Sequence, residues 1–198
     1  MSGKEKAHAE HSVQQGLAAK QKLLEEIEIK DHFIDETGNK VHYSWREMNL
    51  FIRAKYAYFF YKDESDFLSL DEDTLKNIKR NLDFIRKKIP EWRRKIVPVS
   101  REPYSLRLEL DLPSDPPYKQ DELIAMIQLE DHFVDERGTK QYYSYDEMAQ
   151  LVEEKYRHLN WEDGFDLSVL DGWTLWLIAD NLNHRREVIK KWRTGPAT

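Results

Sequence analysis

The chain repeats itself at a fixed offset of 100 residues, and no other feature restricts its fold as strongly. Asp31-His32-Phe33 returns as Asp131-His132-Phe133, Asp35-Glu36 and Gly38 as Asp135-Glu136 and Gly138, and Tyr43-Ser44 with Glu47-Met48 as Tyr143-Ser144 with Glu147-Met148. Lys55-Tyr56, Leu70-Asp71, Thr74-Leu75, Ile78, Asn81-Leu82, Arg86, Ile89 and Trp92-Arg93 recur in the same way. In all, 28 of 71 positions are identical between 23–93 and 123–193, with no gap. The agreement says that these positions kept a shared role and leaves open whether that role is packing or binding.

Each copy reads as a helix-turn or short lead-in, a hairpin, a helix, a loop and a second helix. Residues 27–33 suit a strand, Asp35 to Lys40 form a turn in which Gly38 can take a positive φ, and Val41 to Tyr43 return. Ser44 followed by Glu47 is a capping box, repeated at Ser144 and Glu147, so a helix should carry Met48, Phe51, Ile52 and Tyr56 on one face. Asp71 and Asp171 are N-caps for a longer helix. Its stripe of Leu75, Ile78, Leu82, Ile85, Ile89 and Trp92 steps by three and four and should be buried. Arg185 replaces Ile85 in the second copy, which adds Trp173 and Trp176.

These signals predict an α+β fold, a tandem duplication of a small ββαα-type module. The expected organisation is a flexible N-terminal segment over 1–20, copy one over 21–95, a linker over 96–120 and copy two over 121–194. The linker holds five of the seven prolines, yet Leu106 to Leu112 alternates apolar and charged residues, which predicts an extra strand at 105–112.

Composition narrows the function classes. There is no cysteine, so disulfides and thiolate metal sites are excluded. No apolar run approaches the ~20 residues that span a bilayer, and the expectation is a cytoplasmic protein without membrane contact. The net charge of −6 is uneven: residues 1–100 hold 19 basic against 17 acidic side chains, and 101–198 hold 12 against 20. The copies have diverged in charge and so in what they contact.

No phosphate-cradling loop, nucleophile elbow or metal-binding helix motif occurs, and seven glycines leave little material for such loops. The acidic turns lack calcium-loop spacing. Asp31-His32 and Asp131-His132 come nearest to a metal or acid–base site. They read as strand histidines, hydrogen-bonded or solvated, because Gln141-Tyr142 stand in place of His42 and no second histidine is shared. The sequence therefore predicts no catalytic residue, no metal and no cofactor.

Two surfaces remain. Tyr58, Phe59, Tyr61, Trp161, Trp173 and Trp176 belong to aromatic clusters too dense for one core, to be covered by the other copy or by a partner. They support the main expectation, a non-catalytic protein-binding adaptor or assembly subunit with two diverged interaction modules. Lys79, Arg80, Arg86, Lys87 and Arg93 make the second helix of copy one basic. They support the alternative, a nucleic-acid-binding or regulatory protein, including an inhibitor. Copy two argues for a merely solvated face, since Lys79-Arg80 becomes Ala179-Asp180 and Lys87 becomes Glu187.

Overall fold

A computed structural model describes residues 16–59, 66–93, 116–157, 167 and 170–194. The expected linker strand at 105–112, along with Tyr61 and Trp161, lies outside the described residues. Mixed α+β structure is observed, with the same element order twice. Copy one runs α1 (16–26), β1 (His32–Ile34), β2 (Lys40–His42), α2 (Trp45–Tyr56), a 3-10 turn (Phe67–Ser69) and α3 (Glu72–Arg93). Copy two runs α4 (Gln120–Met126), β3 (His132–Val134), β4 (Lys140–Tyr142), α5 (Tyr145–Tyr156) and α6 (Gly172–Thr194). The lead-in to each hairpin is thus a helix that buries Leu24 or Leu123 and then Ile27 or Ile127, and the strands begin only at His32 and His132.

The local signals act as the chemistry requires. The Asp35 carboxylate accepts the N–H groups of Thr37 and Asn39, both at 2.9 Å, and Gly38 takes φ +85° to close the turn. Asp135 and Gly138 repeat this. Each two-stranded sheet is antiparallel, pairing His32 with His42 and His132 with Tyr142. Ser44 accepts the Glu47 N–H while the Glu47 carboxylate accepts the Ser44 N–H at 2.7 Å, and Ser144 and Glu147 do the same. The Asp71 carboxylate caps α3 through the Thr74 N–H at 2.8 Å.

Leu75, Ile78, Leu82 and Ile89 are fully buried, as the periodicity requires, but Trp92 is 37% exposed and Trp192 is 69% exposed. The ends of α3 and α6 overhang the core there. The neighbouring Arg93 and Arg193 turn inward to the N-terminal ends of α2 and α5, where each grips the Glu of the capping box.

The two copies share one continuous core. Helices α2 and α5 pack on each other, and an antiparallel bridge joins Lys30 to Glu130. The contacts are reciprocal: the Tyr56 hydroxyl donates to the Tyr143 carbonyl at 2.8 Å, and the Tyr156 hydroxyl donates to the Tyr43 carbonyl. Exchange of i with i+100 in each contact defines a two-fold-like relation between the modules.

Candidate functional site: the inter-module ion pairs and the hairpin histidines

At the centre of the molecule lie two buried aspartates, placed there by the residue just before each hairpin. The Asp31 side chain is fully buried and accepts from the Lys155 ammonium of the other module and from the Leu129 N–H at 2.9 Å. Asp131 mirrors it with the Lys55 ammonium and the Ile29 N–H at 2.6 Å. Burial pushes both carboxyls up, but the opposing ammonium and the hydrogen bonds outweigh it and hold them below the usual aspartate range. Each carboxylate leaves water together with an ammonium and also accepts a backbone N–H, which is the condition for tolerating the pair in a core. The repeated Asp31, Lys55 and Tyr56 and their equivalents thus hold the copies together.

The two locks differ in their surroundings. The Lys55 ammonium lies 4.6 Å from the ring centroids of both Phe67 and Tyr142, a cation between two aromatic faces. Around Lys155 the corresponding positions are Leu167 and His42. Tyr142 takes up cross-module packing on Phe67 at 5.1 Å, and its phenol is pushed up by burial and the Asp131 charge.

His42 has no such role. It is 6% exposed, and its Nδ1 is buried without a hydrogen-bond partner. The ladder bonds Tyr43 N–H to Asp31 carbonyl and Asp35 N–H to Asn39 carbonyl flank the His32–His42 pair at alternate positions. His32 and His42 therefore form a non-hydrogen-bonded pair, the closer kind of cross-strand neighbour. Their ring centroids are 5.7 Å apart. His32 Nδ1 lies 2.9 Å from Asp31 Oδ1, and His42 Nδ1 lies 3.8 Å from the same oxygen. Burial, reinforced by the Lys155 charge and only partly opposed by Asp31, pulls the His42 imidazole down to about 4, so it is neutral at pH 7. The Asp31, His32 and His42 ligand atoms all lie within 4.8 Å of one another, the one such trio among the described residues. In copy two only the His132–Asp131 contact, 3.2 Å, remains.

The aromatic candidates separate by position. Phe59 is buried against Phe67 at 4.7 Å, and Trp173 is buried in edge contact with the half-buried Trp176 at 5.5 Å. Tyr58 is exposed.

The basic candidates separate in the same way. Arg86 donates to the Glu26 and Glu28 carbonyls and to Asp83, and Arg186 copies this on the Met126 and Gln128 carbonyls. Arg93 clamps Glu47 and the His42 carbonyl and lies over Phe33. Lys79 pairs with Asp83 at 2.6 Å, while Arg80 and Lys87 are exposed. Sequence reasoning missed that Arg86 and Arg93 are internal struts, although their recurrence as Arg186 and Arg193 in the otherwise acidic copy was a signal.

Beside each hairpin runs a groove. The copy-one groove holds about 360 Å³ and is bordered by Glu25, Glu26, Glu28 and Arg86, and the copy-two groove, about 400 Å³, has Ala125, Met126, Gln128 and Arg186 at the same places. No known protein family, curated protein or solved structure matches this chain. Function must be argued from these sites alone.

Proposed function

We propose that the chain is a non-catalytic protein-binding subunit, a duplicated module fused into one rigid body that presents two diverged outer faces to different partners. One observation carries this reading. The residues that recur at the 100-residue offset are largely spent inside, in cores, caps and inter-module pairs, whereas exposed charge is reversed at several equivalent outer positions. Arg80 and Lys87 stand exposed on α3, and Asp180 and Glu187 stand exposed at the matching places on α6. The groove lips differ likewise, Glu25 and Glu26 against Ala125 and Met126. Opposite charge on equal scaffolds selects different partners, because a like-charge juxtaposition rejects the wrong one. Among the described aromatic candidates, Tyr58 is exposed and Trp176 is half-buried. No described helix is long and apolar enough to cross a membrane. The absence of cysteine suits a cytoplasmic setting.

The test is affinity capture from lysate with the full chain, with and without nuclease, alongside two charge-reversed variants. These are Arg80→Glu with Lys87→Glu, and Asp180→Lys with Glu187→Lys. Each variant is expected to lose a different protein, and both proteins should survive nuclease. Recovery abolished by nuclease and by the α3 variant alone would replace this reading with nucleic-acid binding through Arg80 and Lys87.

A further inference from the structure

We propose that Asp31, His32 and His42 form a binding site for a divalent transition metal of the zinc class, present in copy one and absent from copy two. The donor set is two imidazole nitrogens and one carboxylate oxygen, which suits zinc and its neighbours and leaves a coordination position for water. Zinc bonds of ~2.0–2.1 Å in tetrahedral geometry place ligand atoms ~3.4 Å apart. The observed 2.9 Å and 3.8 Å from Asp31 Oδ1 to the two histidine nitrogens bracket that spacing.

The decisive atom is His42 Nδ1. A buried nitrogen with no partner has given up its hydrogen bond to water and gained nothing in return. At the same strand position the other copy holds Tyr142, which packs on Phe67. A metal ion supplies the missing partner and turns the cost into a bond. The His32 side chain is 16% exposed, which gives an ion a way in. Because Asp31 also holds Lys155 from the other module, an ion here ties the β1–β2 hairpin to the inter-module lock. The adjacent ammonium disfavours a hard, oxygen-seeking cation that depends on carboxylate charge, and favours one bound through nitrogen.

The test uses the full chain carrying His8→Ala and His11→Ala, which removes the other histidine pair close together in sequence. Zn²⁺ is titrated by calorimetry, and Co²⁺ by visible absorption as a geometric probe. One equivalent should bind, with tetrahedral-type cobalt absorption and a raised melting temperature. His42→Tyr, the residue copy two tolerates at this position, should abolish binding while the apo chain stays folded. His132→Ala should leave it intact. Tyr142→His should add a second equivalent at Asp131 and His132. No stoichiometric binding, or binding unaffected by His42→Tyr in a folded chain, would overturn the proposal.

Discussion

Replacing Lys55 by Met keeps the length and apolar stem of the side chain and removes only the charge. The Asp131 carboxylate, fully buried, is then left with the Ile29 N–H at 2.6 Å and the His132 imidazole at 3.2 Å but no compensating cation. Stranding one member of a buried pair costs about 3–5 kcal/mol, a large part of the 5–15 kcal/mol that typically holds a domain together. Urea unfolding followed by tryptophan fluorescence and by circular dichroism would measure it. The two signals should coincide in one transition, because the modules share a core. The penalty should shrink in acid. Without Lys55, the Asp131 carboxyl rises above its unfolded value of about 3.9, so this one group's contribution to the variant's stability is fully present below that pH and is lost as pH rises through the raised value. Lys155→Met should cost less than Lys55→Met. Burial, the larger cause of the low His42 pKa, remains, but the ammonium that reinforces it is gone, so the imidazole shifts toward the protonated form beside Asp31. A Lys55→Met cost below about 1 kcal/mol would refute the claim that this pair carries charge in a dry interior.

Arg93→Ala should destabilise by about 2–3 kcal/mol, since it loses charged hydrogen bonds to Glu47 and the bond to the His42 carbonyl, and Arg93→Lys should recover little because the fork is lost; chemical denaturation of both checks this. Gly38→Ala should cost about 1–2 kcal/mol, purely from backbone, as a Cβ would meet nothing within 4 Å at φ +85°, and thermal melts read it. In the native chain, stability should fall as pH drops below about 3.9. Asp131, raised by burial but lowered further by Lys55, and Asp71, lowered by the Thr74 hydrogen bonds, both sit below their unfolded values, so their contribution is present above that pH and is lost below it. Asp71→Asn should flatten that slope in acid titrations of stability. Leu82→Ala should cost about 2–5 kcal/mol and lower the single transition of the whole chain; a second transition from an unaffected copy two would refute the shared core.

Much of the local structure was written in short spacings. Ser44 with Glu47, Gly38 after Asp35 and the Leu75–Ile89 stripe each name their own structure, because the groups that interact lie within four residues or on one helical face. What failed was whatever depends on distant partners. The strands begin only at His32 and His132 rather than near Ile27, and Leu23, Leu24 and Ile27 offer too few apolar positions to choose between a helix-turn and another lead-in. Trp92 continues the stripe by number but lies beyond the end of the core it should face. The inter-module lock joins residues 76 and 124 apart, a separation no pattern reports. A hint did exist. Lys55 lies four residues after Phe51 and three after Ile52, on the buried face of α2, where a lysine needs an anion. For the histidine cluster, the signal was the break in the repeat itself, His42 opposite Tyr142, which sequence reasoning took as evidence against a site.

The reciprocity of the lock has a consequence for assembly. Each module carries its own aspartate and its own lysine, so the ion pairs alone would let copy one clasp another copy one, and copy two another copy two. Selection among these pairings comes from Tyr142, whose packing on Phe67 and Lys55 joins unlike modules, and from the peptide chain between them, which holds the right partner at a high effective concentration. Severed from its neighbour, either module is self-complementary and should associate as a homodimer. At high protein concentration, refolding chains should exchange halves and form closed, domain-swapped dimers with native contacts throughout.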